Sequence, residues 1–165
     1  MQPSIRLATI EDTDDIARIY NQGILERVAT FETGLRTGKE VEKWFDSIHP
    51  IVVAEVNSRI VGFASTSEYS RRSCYSGISE FSVYIDKSVR GQGIGKELMR
   101  KLSDEAERAG FWKLVSRVFV ENAASRSLLR KVGFREVGTY EKHAKLDGEW
   151  KDVIIVEKLL SRNLK

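Results

Sequence analysis

Residues 83–96 run Val-Tyr-Ile-Asp-Lys-Ser-Val-Arg-Gly-Gln-Gly-Ile-Gly-Lys: a β-rich stretch, a glycine-rich turn, then the start of an amphipathic helix. Glycine at alternate positions lets the turn expose consecutive backbone N–H groups, and the helix behind it adds the positive end of its dipole. Strand, turn and helix in that order make a receptor for a pyrophosphate. The amides offered are those of Gly91, Gln92, Gly93, Ile94, Gly95 and Lys96. Spacing excludes two familiar versions. In G-x-G-x-x-G counted from Gly91, the third glycine falls on Lys96. In G-x-x-x-x-G-K-[ST] ending at Gly95-Lys96, the outer positions hold Arg90 and Glu97. What remains is R-x-x-G-x-G on Arg90, Gly93 and Gly95. A turn whose glycines serve only tight geometry is the competing reading.

The 165 residues suit one domain, 1–165, with a substantial core. Apolar content of 41% and charged content of 31% fit a soluble globular protein. No apolar run reaches the roughly 20 residues of a membrane span, and no basic-then-apolar segment marks a secretory signal, so no membrane partner is expected. Cys74 is the sole cysteine, which rules out an intrachain disulfide and makes a reducing, cytoplasmic setting the expectation. The net charge of +3 is mild and the cations are interleaved with anions, so no nucleic-acid interface is expected. With only His49 and His143 and no cysteine cluster, no metal site is expected either.

Along the chain, Ser4–Ala8 alternates as a short strand, and Thr9 with Asp12 has the spacing of a capping box. A helix is predicted over Asp12–Glu26 with Ile16, Ile19, Tyr20 and Ile24 inward, and a second, short one over Lys39–Ser47 with Val41, Trp44 and Phe45 inward. Ile51–Val56 and Ile60–Glu68 read as a hairpin turned at Asn57-Ser58-Arg59. A polar loop, Tyr69–Gly77, precedes a long strand over Ile78–Asp86. Ile94, Leu98, Leu102 and Ala106 set the buried stripe of a helix over Ile94–Ala109 that stops at Gly110. Strand Lys113–Val120, helix Ala123–Val132, and strands Arg135–His143 and Lys151–Leu160 with a turn at Asp147-Gly148 complete one mixed α/β sheet.

The segment Asn122-Ala-Ala-Ser125-Arg-Ser-Leu-Leu129-Arg-Lys-Val-Gly133-Phe134 follows the pattern N-x-x-[AS]-x-x-L-Y-x-K-x-G-F, except for Leu129. With the R-x-x-G-x-G loop and the order of elements, it resembles the GNAT superfamily of N-acetyltransferases. The resemblance implies a single-domain α/β fold. Its sheet would be mixed and mostly antiparallel, with roughly six to seven strands and about four helices. Its central strands, here Ile78–Asp86 and Lys113–Val120, would splay to hold acetyl-CoA. Val83, Tyr84 and Ile85 would then pair with the pantetheine amides, and an N–H of this strand would meet the oxyanion. The amides of Gly91–Lys96 would hold the pyrophosphate, with charge from Arg90 and Lys96, and Asn122 and Ser125 would contribute at the next helix start. Asn122 as a plain helix cap is the alternative, and Gly133-Phe134 reads as a helix stop and a core anchor. Where many relatives carry a tyrosine that protonates the leaving thiolate, this chain has Leu129, so that role has no holder at this position.

Within the superfamily the chain is similar to phosphinothricin and methionine sulfoximine acetyltransferases, through Tyr20-Asn21, Ala29-Thr30-Phe31-Glu32, Arg72-Ser73-Cys74-Tyr75, Glu80 and Gly148–Val153. The expected reaction is acetylation of the α-amine of a small amino-acid analogue. The amine must lose a proton, and Glu80 is the candidate general base; it shares a strand face with Ser82 and Tyr84. A Glu merely paired with a neighbouring Arg is the alternative. Arg72 offers a planar fork to the substrate anion, with Arg71 as its substitute and Tyr75 as a further donor. Phe31 would wall the pocket and Glu32 attract the ammonium. A solvated loop and a core Phe beside a surface Glu are the plainer readings. Trp150 reads as packing and Cys74 as a bystander. The resemblance further implies a homodimer and a role in antibiotic or herbicide resistance. Two other functions stay open: acetylation of a peptide N-terminus or another amine, and a non-catalytic acyl-CoA-binding regulatory module.

Overall fold

The computed structural model describes residues 2–165. The strands are β1 (Ser4–Leu7), β2 (Ile51–Val56), β3 (Arg59–Glu68), β4 (Ile78–Ile85), β5 (Lys113–Phe119), β6 (Arg135–Leu146) and β7 (Glu149–Leu159). The helices are α1 (Thr13–Glu26), α2 (Gly38–Glu42), α3 (Ile94–Arg108) and α4 (Ala123–Lys131). This is the predicted order, with two boundary corrections. The helix expected over Lys39–Ser47 ends at Glu42, so Trp44 and Phe45 pack inward from the chain just beyond it. The sixth strand runs past His143 to Leu146, bulging between Tyr140 and Ala144.

Local chemistry accounts for the joints. The Thr9 N–H donates to Asp12 at 2.8 Å, and Arg6 grips the same carboxylate, fixing the entry to α1. Asn57 and Ser58, and again Asp147 and Gly148, take positive φ, the geometry of tight hairpins. At the end of α4 the Phe134 N–H reaches back to the Leu129 carbonyl at 2.9 Å across Gly133.

A seven-stranded sheet runs β1-β2-β3-β4-β5-β7-β6. All neighbours are antiparallel except β4 and β5, which are parallel and pair only from Ile78–Lys113 to Glu80–Val115. Beyond that point the two central strands part. One face carries α3 and α4 on a core that includes Val52, Ala64, Phe81, Leu98, Leu102, Leu114, Leu129 and Phe134. The other face carries α1 and α2 on Ile16, Ile19, Val41, Val53 and Phe63, with Tyr20, Trp44 and Tyr84 packed against them. No helix among the described residues is long and apolar enough to cross a membrane.

Candidate active site

The opening between β4 and β5 is polar by construction. The Asp86 N–H donates to the Val61 carbonyl at 2.8 Å, so alternation turns the backbone groups of Tyr84, Ser82 and Glu80 toward β3. Phe81, Val83 and Ile85 therefore aim theirs at β5. The Phe81 carbonyl is taken by the Ser116 hydroxyl at 2.8 Å, and the Ile85 carbonyl by Arg90 Nε at 3.1 Å. The amides of Val83 and Ile85 and the carbonyl of Val83 face the gap. Tyr84 departs from the expectation, because its backbone belongs to the ladder with Phe63 and its ring lies against α1, where a Cβ on Gly23 would come within 2.6 Å of it.

At the wide end of the gap stands the glycine turn. Gly91 and Gly93 have φ of +78° and +83°, a conformation closed to most side chains, and Gly93 caps α3. Gly95 is ordinary helix, but a Cβ there would meet Leu128 Cδ2 at 2.8 Å, so glycine lets α4 approach. The first amide after the turn with a partner in the fold is that of Glu97, which donates to Gly93; those of Gly91–Lys96 are open. Lys96 is half-buried in the first turn of α3. Arg90 is not a free cation: its guanidinium grips Glu26 through two hydrogen bonds of 2.6 Å. Across the gap, the Asn122 side chain accepts from the Ser125 N–H at 3.2 Å, capping α4 at the end of β5. Leu129 is 1% exposed within the core, so no donor for a leaving group comes from it.

Glu80 sits one residue before the strands part, on the α1 face. Across the opening, Arg117 of β5 lies 3.9 Å from its carboxylate, too long for a hydrogen bond. Glu80 stands opposite Ser67, and Ser82 opposite Ser65. Beside them lies a groove of about 320 Å³ floored by Phe63, Ser65, Ser67 and Ser82, walled by Tyr20, Trp44 and Tyr84, and rimmed by Lys43, Asp46 and Glu68. Burial raises the pKa of the Tyr84 and Tyr20 phenols, so both stay neutral donors.

The remaining candidates flank this surface. Phe31 packs on Phe119 of β5 at 4.7 Å between ring centroids, and the hydroxyl of Thr30 lies by Tyr20 and Tyr84. The loop after α1 thereby spans the opening from β4 to β5. Asn21 anchors that loop, exchanging hydrogen bonds of 2.9 and 2.8 Å with the backbone of Arg36. Glu32 is exposed and paired with Arg36 at 2.8 Å. Arg72 lies 5.5 Å over the Tyr75 ring, and Tyr75 meets Tyr69 edge-on at 6.0 Å, on the loop that follows Glu68. Among the described residues no hydrogen bond or ion pair joins Arg72 or Tyr75 to Phe31, Glu32 or Glu80.

Sequence reasoning missed Trp44 and Tyr20 as groove walls, since both read as core, and it missed the serines of β3. It also missed Asp86. Burial opposes the charge of this carboxylate, but the Ser88 N–H and hydroxyl and the Arg18 guanidinium outweigh that and hold it well below the usual carboxylate range. An Asp two residues before a Ser at a strand end was the available signal.

The chain is similar to known acetyltransferases over nearly its whole length. A methionine sulfoximine/methionine sulfone acetyltransferase of Pseudomonas aeruginosa is 30% identical over 163 residues, covering 95% of this chain and 94% of the relative. The structure of a GNAT superfamily phosphinothricin acetyltransferase from Sinorhizobium meliloti, in complex with acetyl-CoA, superposes with a TM-score of 0.89 at 28% identity, over 96% of this chain and 89% of that one. A ribosomal-protein-alanine N-acetyltransferase from Brucella melitensis does so with a TM-score of 0.89 at 31% identity, over 94% of this chain and 99% of that one. The profile described as the acetyltransferase (GNAT) family matches residues 17–134, from α1 through the end of α4, and the chain belongs to that family.

Proposed function

We propose that the protein transfers the acetyl group of acetyl-CoA to the α-amine of a small amino-acid analogue, such as phosphinothricin or methionine sulfoximine or sulfone. The observation that carries this reading is two sets of open backbone donors, Val83 and Ile85 in the β4–β5 gap and Gly91–Lys96 at the start of α3, with Glu80 beside the point where the gap opens. The amides of Gly91–Lys96 take the pyrophosphate. Val83 and Ile85 extend the sheet with the pantetheine arm, and Asn122 and Ser125 border it from α4. Tyr84 contributes to the acceptor side through its ring.

The acceptor lies on the α1 face. Its ammonium passes a proton to Glu80, directly or through water, and the neutral nitrogen attacks the thioester carbonyl carbon. The Val83 N–H receives the developing oxyanion. As the oxyanion collapses the C–S bond breaks and the nitrogen gives up its second proton to solvent, leaving the acetamide and coenzyme A thiolate. A thiol with a pKa near ~8.5 is a tolerable leaving group at neutral pH, and with Leu129 buried the thiolate takes its proton from solvent. The acceptor side chain points along the groove toward Trp44. Arg72, with Arg71 as its neighbour and Tyr75 beside it, takes the anion at the groove's outer end, and Phe31 and Glu32 close the opposite side. The same reading makes the protein a homodimer in the cytoplasm that detoxifies such analogues. The exposed edge strand β6, with Val137 and Tyr140 outward and Trp150 exposed on β7, suits a second copy.

The test is release of coenzyme A thiol across a panel of amines. Turnover with phosphinothricin, methionine sulfoximine or methionine sulfone supports the reading; turnover confined to a peptide N-terminus overturns the substrate. Glu80→Gln is expected to lower kcat at least 100-fold at unchanged coenzyme A affinity. Full turnover in this variant would remove Glu80 from the mechanism.

A further inference from the structure

Arg18, Gln22 and Glu26 follow one another at i, i+4 and i+8 along one face of α1. Each holds a different part of the segment leading into the glycine turn. Arg18 donates to the Asp86 carboxylate at 2.6 Å and to the Ile60 carbonyl at 2.8 Å. The Gln22 side-chain oxygen accepts from the Lys87 N–H at 3.0 Å. Glu26 accepts both terminal N–H groups of Arg90, whose Nε donates to the end of β4. One helix thus fixes both ends of the turn that precedes Gly91. The glycine turn that follows has open space beside it, for nothing lies within 4 Å of a Cβ built on Gly91 or Gly93.

We infer that Arg18, Gln22 and Glu26 are positioning residues for the cofactor loop, and that Arg90 serves the loop as a strut to α1, not as a counter-ion to the pyrophosphate. The inference rests on the reading that this loop takes coenzyme A. Backbone donors bind an anion well only while they converge, and a loop ordered beforehand loses less on binding. The carboxylate of Glu26 makes the case sharp. As a mere negative charge near a polyanion site it opposes binding, and its removal would free Arg90 to strengthen it. As the anchor of a strut it favours binding. The two roles predict changes of opposite sign.

Calorimetric titration of the full chain with coenzyme A separates them. Glu26→Ala and Arg90→Ala are each expected to weaken binding about fivefold, and the double variant no more than either alone, since the pair acts as a unit. Gln22→Ala changes no charge and is expected to weaken binding two- to fivefold; it keeps the test standing if the charge variants fold poorly. With Glu26→Ala and Gln22→Ala, the KM for acetyl-CoA rises while kcat at saturation stays, a split that general loss of folded protein does not produce. Tighter binding by Glu26→Ala, or wild-type affinity in the double variant through cancelling charges, would overturn the inference and make Arg90 a counter-ion. Absence of coenzyme A binding by the wild-type chain would overturn the cofactor reading itself, and this inference with it.

Discussion

Gly93→Ala separates backbone geometry from packing in the glycine turn. Gly93 has φ of +83° and open space around a built Cβ, so an alanine there is strained torsionally and not by collision. That strain is roughly 1–2 kcal/mol, partly offset by about 0.4–1 kcal/mol from a stiffer unfolded chain. If the turn holds its shape, the net loss of stability is about 1 kcal/mol. If the turn relaxes to negative φ, stability is kept and the amides at positions 93 and 94 swing out of line. Each is a hydrogen bond to a charged group worth about 1.5–3 kcal/mol, so with both lost coenzyme A affinity falls about 100-fold or more. Gly95→Ala is the control, because its backbone is ordinary but its Cβ would meet Leu128 Cδ2 at 2.8 Å. Overpacking there costs about 1–3 kcal/mol of stability while leaving the amides in line. Urea denaturation and calorimetric titration of both variants read the two effects separately. Wild-type coenzyme A affinity and stability together in Gly93→Ala, or lost affinity with full stability in Gly95→Ala, would refute this assignment of causes.

Asp86→Asn is expected to cost about 1–3 kcal/mol at neutral pH, by weakening the bond from Arg18. Because the folded carboxyl titrates below its unfolded value of ~3.9, its contribution is full above that value and drains away as pH falls toward the depressed one. The wild-type advantage over Asp86→Asn should therefore be constant from about pH 5 to 8 and shrink below about pH 4 in denaturant titrations; an equal advantage at pH 3 would contradict this. Trp44→Ala removes a half-buried wall packed 5.5 Å from Tyr20 and 6.1 Å from Phe63. It should raise the acceptor KM about tenfold and cost about 1–2 kcal/mol of stability, with coenzyme A affinity unchanged by calorimetry.

The sequence carried those parts of the fold whose cause is local. The stripe Ile94, Leu98, Leu102 and Ala106 is fully buried as its spacing demanded, and Gly110 and Gly133 take the left-handed conformation that ends a helix. The second helix was overextended because Trp44 and Phe45 are buried by tertiary packing and not by helical periodicity. Alternation along β4 placed Glu80 on the right face, but which backbone groups stay unpaired depends on where β5 diverges, and no single strand encodes that. Arg90 illustrates the same limit: its motif suggested a free cation, whereas its partner Glu26 lies 64 residues earlier in the chain.

A sheet normally ends where its backbone runs out of partners. Here it ends where Ser116 lends a hydroxyl to the Phe81 carbonyl. That single substitution of side chain for backbone lets two central strands separate without stranding a buried acceptor. It also acts as a depth gauge. Anything that slides into the cleft as an extra strand can pair with Val83 but not with the Phe81 carbonyl, so its pairing stops three residues short of Glu80 along β4. Moving that serine along β5 would move the inner limit of the cleft relative to Glu80, a limit set by one exchangeable hydroxyl and not by the glycine turn.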